Sequence, residues 1–401
     1  MGENGEEGKR MSTPSAVIFG AGSVGRGFLG QLLTESGYEV VFVDVDEPLV
    51  AALSERGTYT LRLSGIEKVE DRTIGPVRAV DGRDVAGVAL EVAKASLVAT
   101  AVGARALRAI SVPIAQGLAQ RWCGEAGPLN IIICENLHDA PELLRGFVAA
   151  ALPEGSRELL VQQAGFVPAV IARMSPVPTP EQREADISLI IAEPYKVLPV
   201  DRDAFVGDVP DVVGLYAVAP FEAYTARKLY IHNAAHAMLG YLGYQRGHLY
   251  GYEALGDPWV RARVDLALTE SSRALIAAFG FEPVALREHI DYLLVRFSNR
   301  ALGDPVSRLA RDPLRKLAPG DRLVGAARLA ERHGIRPDGL AWGITGALAY
   351  SSSDDPHAVS LQERIAAQGL EQTLEAVTGI SADEALGSLV VTRYRELVST
   401  R

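Results

Sequence analysis

At 401 residues the chain exceeds what one ordinary core encloses, so two domains are expected. It is 48% hydrophobic and 22% charged, with no apolar run near the roughly 18 to 20 residues of a membrane span, so a globular, cytoplasmic protein with no membrane partner is expected. The net charge of −10, with Lys and Arg scattered, offers no basic stripe for nucleic acid, and Cys123 and Cys134 without a CxxC motif support neither a disulfide framework nor a cysteine-based zinc site.

Residues 1–11 are rich in Gly and Glu and lack the apolar stretch of a signal peptide, so a disordered extension is expected there, with Met11 a second candidate start. The folded chain then opens with Ala16-Val17-Ile18-Phe19, which feeds directly into the GxGxxG turn Gly20-Ala21-Gly22-Ser23-Val24-Gly25. In such a turn Gly20 permits the sharp bend after a strand, Gly22 admits the backbone to a pyrophosphate, and Gly25 lets the next helix pack on the sheet. Ser23, Val24 and Gly25 begin that helix, whose unpaired N–H groups and positive dipole end suit phosphates. A second run, Val40 to Val43, ends at Asp44, nineteen positions past Gly25 and near the roughly 20 expected of a ribose-binding acid. Because an acid at that point repels a 2′-phosphate, NAD is the expected cofactor in preference to NADP.

Beyond this unit the runs at 95–102 and 129–134 read as strands buried on both faces, their C-terminal ends opening onto the cofactor. Further β-rich pieces at 159–162, 187–192 and 196–200 are expected to extend the same sheet, with the Pro-rich stretch 175–180 as a loop. After Ala219-Pro220 the pattern turns helical, over about 223–243, 259–279, 281–297, 321–333, 340–349, 357–368 and 371–378. The fold class expected is α/β: a Rossmann-type doubly wound sheet domain over 12–218, then a mainly α-helical domain over 219–401.

On the first of those helices, at 100° per residue, Asn233 and His236 are near neighbours, while Lys228 stands about 80° from His236 and two turns earlier. All three can address one pocket. Taken alone, His236 reads as a satisfied helix histidine and Lys228 as a snorkelling surface lysine.

The K-x4-N-x2-H spacing of Lys228, Asn233 and His236 resembles the signature of the polyol-specific long-chain dehydrogenases. The glycine-rich turn, Cys134-Glu135-Asn136-Leu137, Gly165-Phe166-Val167, the segment from Arg311 to Leu317, and Gly320-Asp321-Arg322-Leu323 are similar to the branch of that family acting on mannitol 1-phosphate. The resemblance implies a metal-independent, NAD-dependent enzyme, monomeric or a small homo-oligomer, interconverting D-mannitol 1-phosphate and D-fructose 6-phosphate. Lys228 would be the general base. Asn136 and Asn233 would donate N–H bonds to the developing alkoxide, and His236 would orient the substrate through its carbonyl or a neighbouring hydroxyl.

For the substrate phosphate, Arg311 and Arg315 would share a face if they lie on one helical turn, and guanidinium groups suit bidentate phosphate contacts. Pairing of Arg315 with Asp312 or Asp321 is the competing reading, and Arg26 either reaches a phosphate or braces the domain interface. The family commonly carries a Glu two or three positions before its lysine, where this chain has Thr225 and Ala226. The alternatives are the same chemistry on an unphosphorylated polyol or a hexuronate, metal-assisted oxidation using His232 and His236, and a non-catalytic NAD-binding regulator.

Overall fold

The computed structural model describes residues 13–399 apart from 125 and 138, so the extension expected over 1–11 lies outside the described residues. The chain divides into two compact units, one reaching Ala219 but leaving out Gly65–Lys68, the other taking Gly65–Lys68 and the chain from Pro220.

Among the described residues the first unit contains β1 (Ser15–Phe19), β2 (Glu39–Asp44), β3 (Tyr59–Ser64), β4 (Val69–Ile74), β5 (Val77–Asp81), β6 (Leu97–Thr100), β7 (Leu129–Ile133), β8 (Ala164–Pro168), β9 (Ile190–Ala192), β10 (Leu198–Asp201) and β11 (Leu215–Val218). Six of these make one parallel sheet in the order β5-β2-β1-β6-β7-β8. Counted by succession within that sheet the order is 3-2-1-4-5-6, the doubly wound arrangement whose direction reverses between its first and fourth strands. Here the reversal falls between β1 and β6.

The strand sequences account for this sheet. Side chains alternate across a strand, and parallel strands covered on both faces need apolar residues at every position. Thus Ala16 and Ile18 of β1 join one core with Val40, Phe42, Leu97, Ala99 and Ile132, while Val17 and Phe19 join the opposite core with Val41, Val43, Val98, Ile131 and Ile133. Helices Gly30–Glu35 and Glu47–Arg56 cover the first face through Leu32, Leu33, Leu49 and Leu53. Helices Val85–Lys94, Leu107–Cys123 and Ala140–Ala151 cover the second through Val88, Val92, Ile114, Leu118, Leu144 and Val148.

The runs at 95–102 and 129–134 appear as β6 and β7, but three other expectations are corrected. The stretch 159–162 lies within the helix Arg157–Gln163, whose Arg, Glu, Leu and Gln residues favour a helix and of which only Leu160 is buried. The runs at 187–192 and 196–200 do not extend the main sheet. β9 pairs with β3 in a three-stranded sheet β4-β3-β9, completing a strand whose Tyr59, Leu61 and Leu63 alternate inward. β10 forms its ladder in parallel with β11 and meets the chain just past β8 only through the isolated antiparallel bridge of Val200 with Ala169, and Pro199 within it lacks the N–H that a central strand donates.

In the second unit the expected helices form with ends displaced by at most three residues, joined by Gly251–Gly256, Val306–Ala310, Pro313–Lys316 and Ala385–Ser399. Helix Pro258–Phe279 starts where the Asp257 carboxylate accepts the N–H groups of Trp259 (2.8 Å) and Val260 (3.3 Å), and stops at Gly280 in the left-handed region. Its mid-helix Glu270 accepts the amides of Gly339 (2.7 Å) and Leu340 (3.0 Å), so the helix Asp338–Leu348, buried from Gly339 onward, has its N-terminus satisfied inside the core. The helix expected over 223–243 is not uniform: Phe221–Arg227 is α, Lys228–Asn233 is π-wound, and Ala234–Gln245 is α again. No helix among the described residues is long and apolar enough to cross a membrane.

Candidate active site

At the reversal point the chain leaves β1 through Gly20 at φ +95°, where a Cβ would lie 2.4 Å from the carbonyl oxygen of Ala101, just past β6. A Cβ on Gly25 would lie 1.9 Å from the carbonyl oxygen of Gly20, so the turn folds tightly on itself. Gly22 differs. It is exposed, and a Cβ there would meet nothing within 4 Å, so nothing in the chain requires glycine at that point. The room above Gly22 suits a pyrophosphate approaching the backbone, and among the described residues the amides of Gly22, Ser23 and Val24 find no acceptor in the chain. The helix that follows is π-wound over Gly25–Leu29 before becoming α at Gly30.

Asp44 closes this turn from the end of β2. Its Oδ2 accepts the Ala21 amide (2.7 Å), and Oδ1 accepts those of Val45 (2.7 Å) and Asp46 (3.1 Å). A carboxylate offers about four lone-pair sites, so three backbone bonds leave one for a ribose hydroxyl. Glu135, to which the sequence reading gave no role, does similar work next door: its two oxygens accept the amides of Val102 (3.0 Å) and Gly103 (2.8 Å). Asn136 follows, exposed, in the loop after β7.

The arginines proposed for phosphate are differently placed from the expectation. Arg26 is buried, its Nε donating to the Ala21 carbonyl (2.5 Å) and its Nη1 to the Ser188 carbonyl, which makes it a brace within the first unit. Arg311 and Arg315 do not share a helix, because Val306–Ala310 ends before Arg311 and Pro313–Lys316 begins after it. Arg315 is exposed and its Nε donates to Asp312 (2.8 Å), the pairing weighed against phosphate. Arg311 is exposed.

In the second unit Lys228 opens the π segment and Asn233 closes it. Under α winding, positions five apart diverge by about 140°. The i to i+5 ring closure of a π turn makes them neighbours instead. Lys228 is half-buried, and its ammonium is brought down to about 8 by burial first and by the Arg322 charge second. Lys316, barely alluded to by the sequence, is 6% exposed. Its Nζ donates to the Leu309 carbonyl and sits 5.5 Å from the Tyr241 ring centroid, and burial, with Arg322 and Arg315 adding to it, lowers it to about 7. Arg322, half-buried and bonded through Nε to Asp321 (2.6 Å), thus acts on both lysines. Thr225, standing where the family places Glu, turns its hydroxyl back to the Phe221 carbonyl (3.4 Å). His236 stacks on Phe297, with ring centroids 5.0 Å apart and planes 7° from parallel, and its Nε2 lies 3.3 Å from Asp304 Oδ2. His232 is buried and held well below the ordinary histidine range by burial and by Arg296. Among the described residues no three His, Cys, Asp or Glu side chains gather as a metal-ligand set.

Residues 14–214 match the mannitol dehydrogenase Rossmann domain, and residues 220–398 match the mannitol dehydrogenase C-terminal domain. The chain belongs to the mannitol dehydrogenase family. It is 39% identical over 381 residues to a mannitol-1-phosphate 5-dehydrogenase of Bacillus licheniformis, spanning 95% of this chain and 99% of that protein. With the enzyme of the same description from Bacillus subtilis it shares 36% over 382 residues, spanning 95% of this chain and 100% of that protein. Among solved structures, D-sorbitol dehydrogenase in substrate-free form gives a TM-score of 0.82 at 17% identity, covering 97% of this chain and 94% of that one. Pseudomonas fluorescens mannitol 2-dehydrogenase, in a ternary complex with NAD and D-mannitol, gives 0.73 at 18% identity, covering 97% and 92%. These two share the mannitol dehydrogenase fold with the chain.

Proposed function

We propose that the protein is an NAD-dependent, metal-independent oxidoreductase interconverting D-mannitol 1-phosphate and D-fructose 6-phosphate, with Lys228 as general base. The observation that carries this reading is a lysine with a lowered pKa opening a π turn that Asn233 closes, in a chain 39% identical over 95% of its length to a mannitol-1-phosphate 5-dehydrogenase. NAD bound at the glycine turn would be held by the amides of Gly22, Ser23 and Val24 and by Asp44, and it would accept the hydride of the oxidised carbon. The remaining chemistry belongs to the chain. Oxidising a secondary alcohol means removing its hydroxyl proton, which neutral Lys228 takes at Nζ. The amide N–H groups of Asn233 and Asn136 stabilise the oxygen as it gains charge, and His236 orients a neighbouring group. In the reverse direction the Lys228 ammonium returns the proton to the ketone oxygen.

An anionic substrate suits the positive charge of Arg322, which bears on both Lys228 and Lys316. Arg311 remains the proposed phosphate contact with the least competing engagement, while Arg315 would have to leave Asp312. The pairing of Arg315 favours the second reading, an unphosphorylated polyol or a hexuronate, to that extent. NADH oxidation with fructose 6-phosphate, fructose and fructuronate side by side separates the two. The proposal expects kcat/KM for fructose 6-phosphate to exceed the others by at least about a hundredfold, roughly 2.7 kcal/mol. Equal or better turnover of fructose or fructuronate would overturn it.

A further inference from the structure

We propose that Asp304 is a positioning residue that fixes His236 as its Nε2–H tautomer, making Nδ1 a hydrogen-bond acceptor that selects a donating hydroxyl of the substrate and not the reacting carbonyl. The inference deepens the reading above and rests on His236 lying at the substrate.

Three rings set the plane of the imidazole. His236 lies flat against Phe297, His232 stands edge-on to His236 with centroids 5.7 Å apart, and His232 is likewise edge-on to Phe297 at 5.3 Å. Stacking fixes a ring's plane but leaves open which nitrogen carries the proton. Asp304 decides that. Its Oδ2 is 3.3 Å from Nε2, while Oδ1 pairs with Arg308 four residues on. Burial raises the Asp304 carboxyl, but the hydrogen bond from His236 and the charge and hydrogen bond of Arg308 act against it, and the group is held below the ordinary carboxylate range. An ionised carboxylate only accepts, so Nε2 must donate. The backbone of Asp304 is anchored too, its carbonyl accepting the Gly251 amide (2.9 Å) directly after Gly303 in the left-handed region.

Once Nε2–H is committed, a neutral imidazole has only a lone pair at Nδ1 and cannot donate to a ketone. It can accept from a hydroxyl, and a hydroxyl beside the reacting carbon is present in both the polyol and the ketose. His236 and Asp304 keep 25% and 15% of their side-chain surface exposed, so the ring is reachable. The sequence reading of His236 left carbonyl and hydroxyl open, and this geometry favours the hydroxyl.

The test uses the full chain labelled with ¹⁵N-histidine, the His236 signals being assigned by their loss in His236→Asn. Ring nitrogen shifts at pH 9 should report Nε2–H at His236 in the wild type, a result that needs no variant at Asp304. Asp304→Ala, which leaves no acceptor for Nε2–H, should abolish that preference and raise KM for fructose 6-phosphate at least about tenfold with kcat changed less than about threefold. In a His236→Asn background the same Asp304 substitution should change KM less than twofold, because a group acting through His236 has nothing left to position. An Nδ1–H tautomer in the wild type overturns the proposal, as does an Asp304 effect that persists undiminished without His236. A tautomer that shifts as expected with KM unaltered also overturns it, and identifies the failure as the place of His236 at the substrate.

Discussion

A lysine ammonium in water titrates near 10.4, so at neutral pH only about one in 2,500 is a base, and the proposed role of Lys228 depends on its surroundings. Burial and Arg322 supply those surroundings, lowering it to about 8. Lys228→Ala should therefore lower kcat by about 10² or more while NADH binding, measured by fluorescence titration, stays nearly unchanged, and small added amines should restore part of the rate. Asn233→Ala and Asn136→Ala should each cost on the order of 2 to 4 kcal/mol in kcat/KM, mostly in kcat; a loss confined to KM would make them binding groups. Asp44 carries two functions that a single variant can part. Wild type should prefer NAD over NADP by at least about tenfold, and Asp44→Asn should narrow the ratio by removing the like charge while its amide oxygen can still accept from the turn. Equal kcat/KM with the two cofactors in wild type would contradict this. Residue types and spacings made Lys228, Asn233, His236 and Asp44 legible in the sequence as candidates. The partners that tune them were not, because Arg322 and Asp304 lie far along the chain and no local pattern ties them to the helix they act on.

At the scale of the element, the glycine turn separates two reasons for glycine. Gly25→Ala places a Cβ 1.9 Å from the Gly20 carbonyl oxygen and should destabilise the apo protein by a few kcal/mol, read as a lowered thermal midpoint. Gly22→Ala, with open space above it, should leave the apo stability within about 0.5 kcal/mol of wild type yet raise the Kd for NADH severalfold. If Gly22→Ala binds NADH as wild type does, the space above it is not the pyrophosphate site. The sequence announced this turn because strand, turn and acid each leave a local mark. It could not announce the π winding of Lys228–Asn233, since its residues fit an α-helix equally well and the wider turn depends on what packs around it. For the same reason β9 and β10 were legible as strands but not by sheet, as pairing is decided by the edge that a distant strand leaves open.

For the whole molecule, folding lowers the pKa of two sets of ionisable groups, and both make the apo protein more stable as pH rises. Asp257, Asp304 and Asp312 are held below the carboxylate range by hydrogen-bonded partners despite burial, so the stability they add is present above about pH 4 and lost as pH falls through their native pKa values. Lys228 and Lys316 are lowered to about 8 and 7, so the unfolded chain binds more protons than the native one from there up to about 10.4, and stability rises with pH across that window. Differential scanning calorimetry of the apo protein should show a midpoint rising by a few degrees from pH 6 to pH 9, and Lys316→Met should flatten the rise; a slope unchanged in that variant would mean Lys316 is not desolvated as described. The net charge of −10 repels anions at long range, so an anionic substrate must be captured by local cations rather than steered from afar.

The pH dependence of catalysis tests the role of Lys228 most directly. It should be measured from pH 7 to 10, above the second phosphate ionisation near 6, in both directions and for wild type and Lys228→Ala. Wild-type kcat/KM for mannitol 1-phosphate oxidation should climb about tenfold per pH unit and level off above an inflection near 8, while fructose 6-phosphate reduction should fall above the same inflection, because one direction needs the free amine and the other the ammonium. The residual activity of Lys228→Ala should lack that inflection. A wild-type profile flat through pH 8, or an inflection that survives in Lys228→Ala, would contradict the assignment of Lys228 as the base.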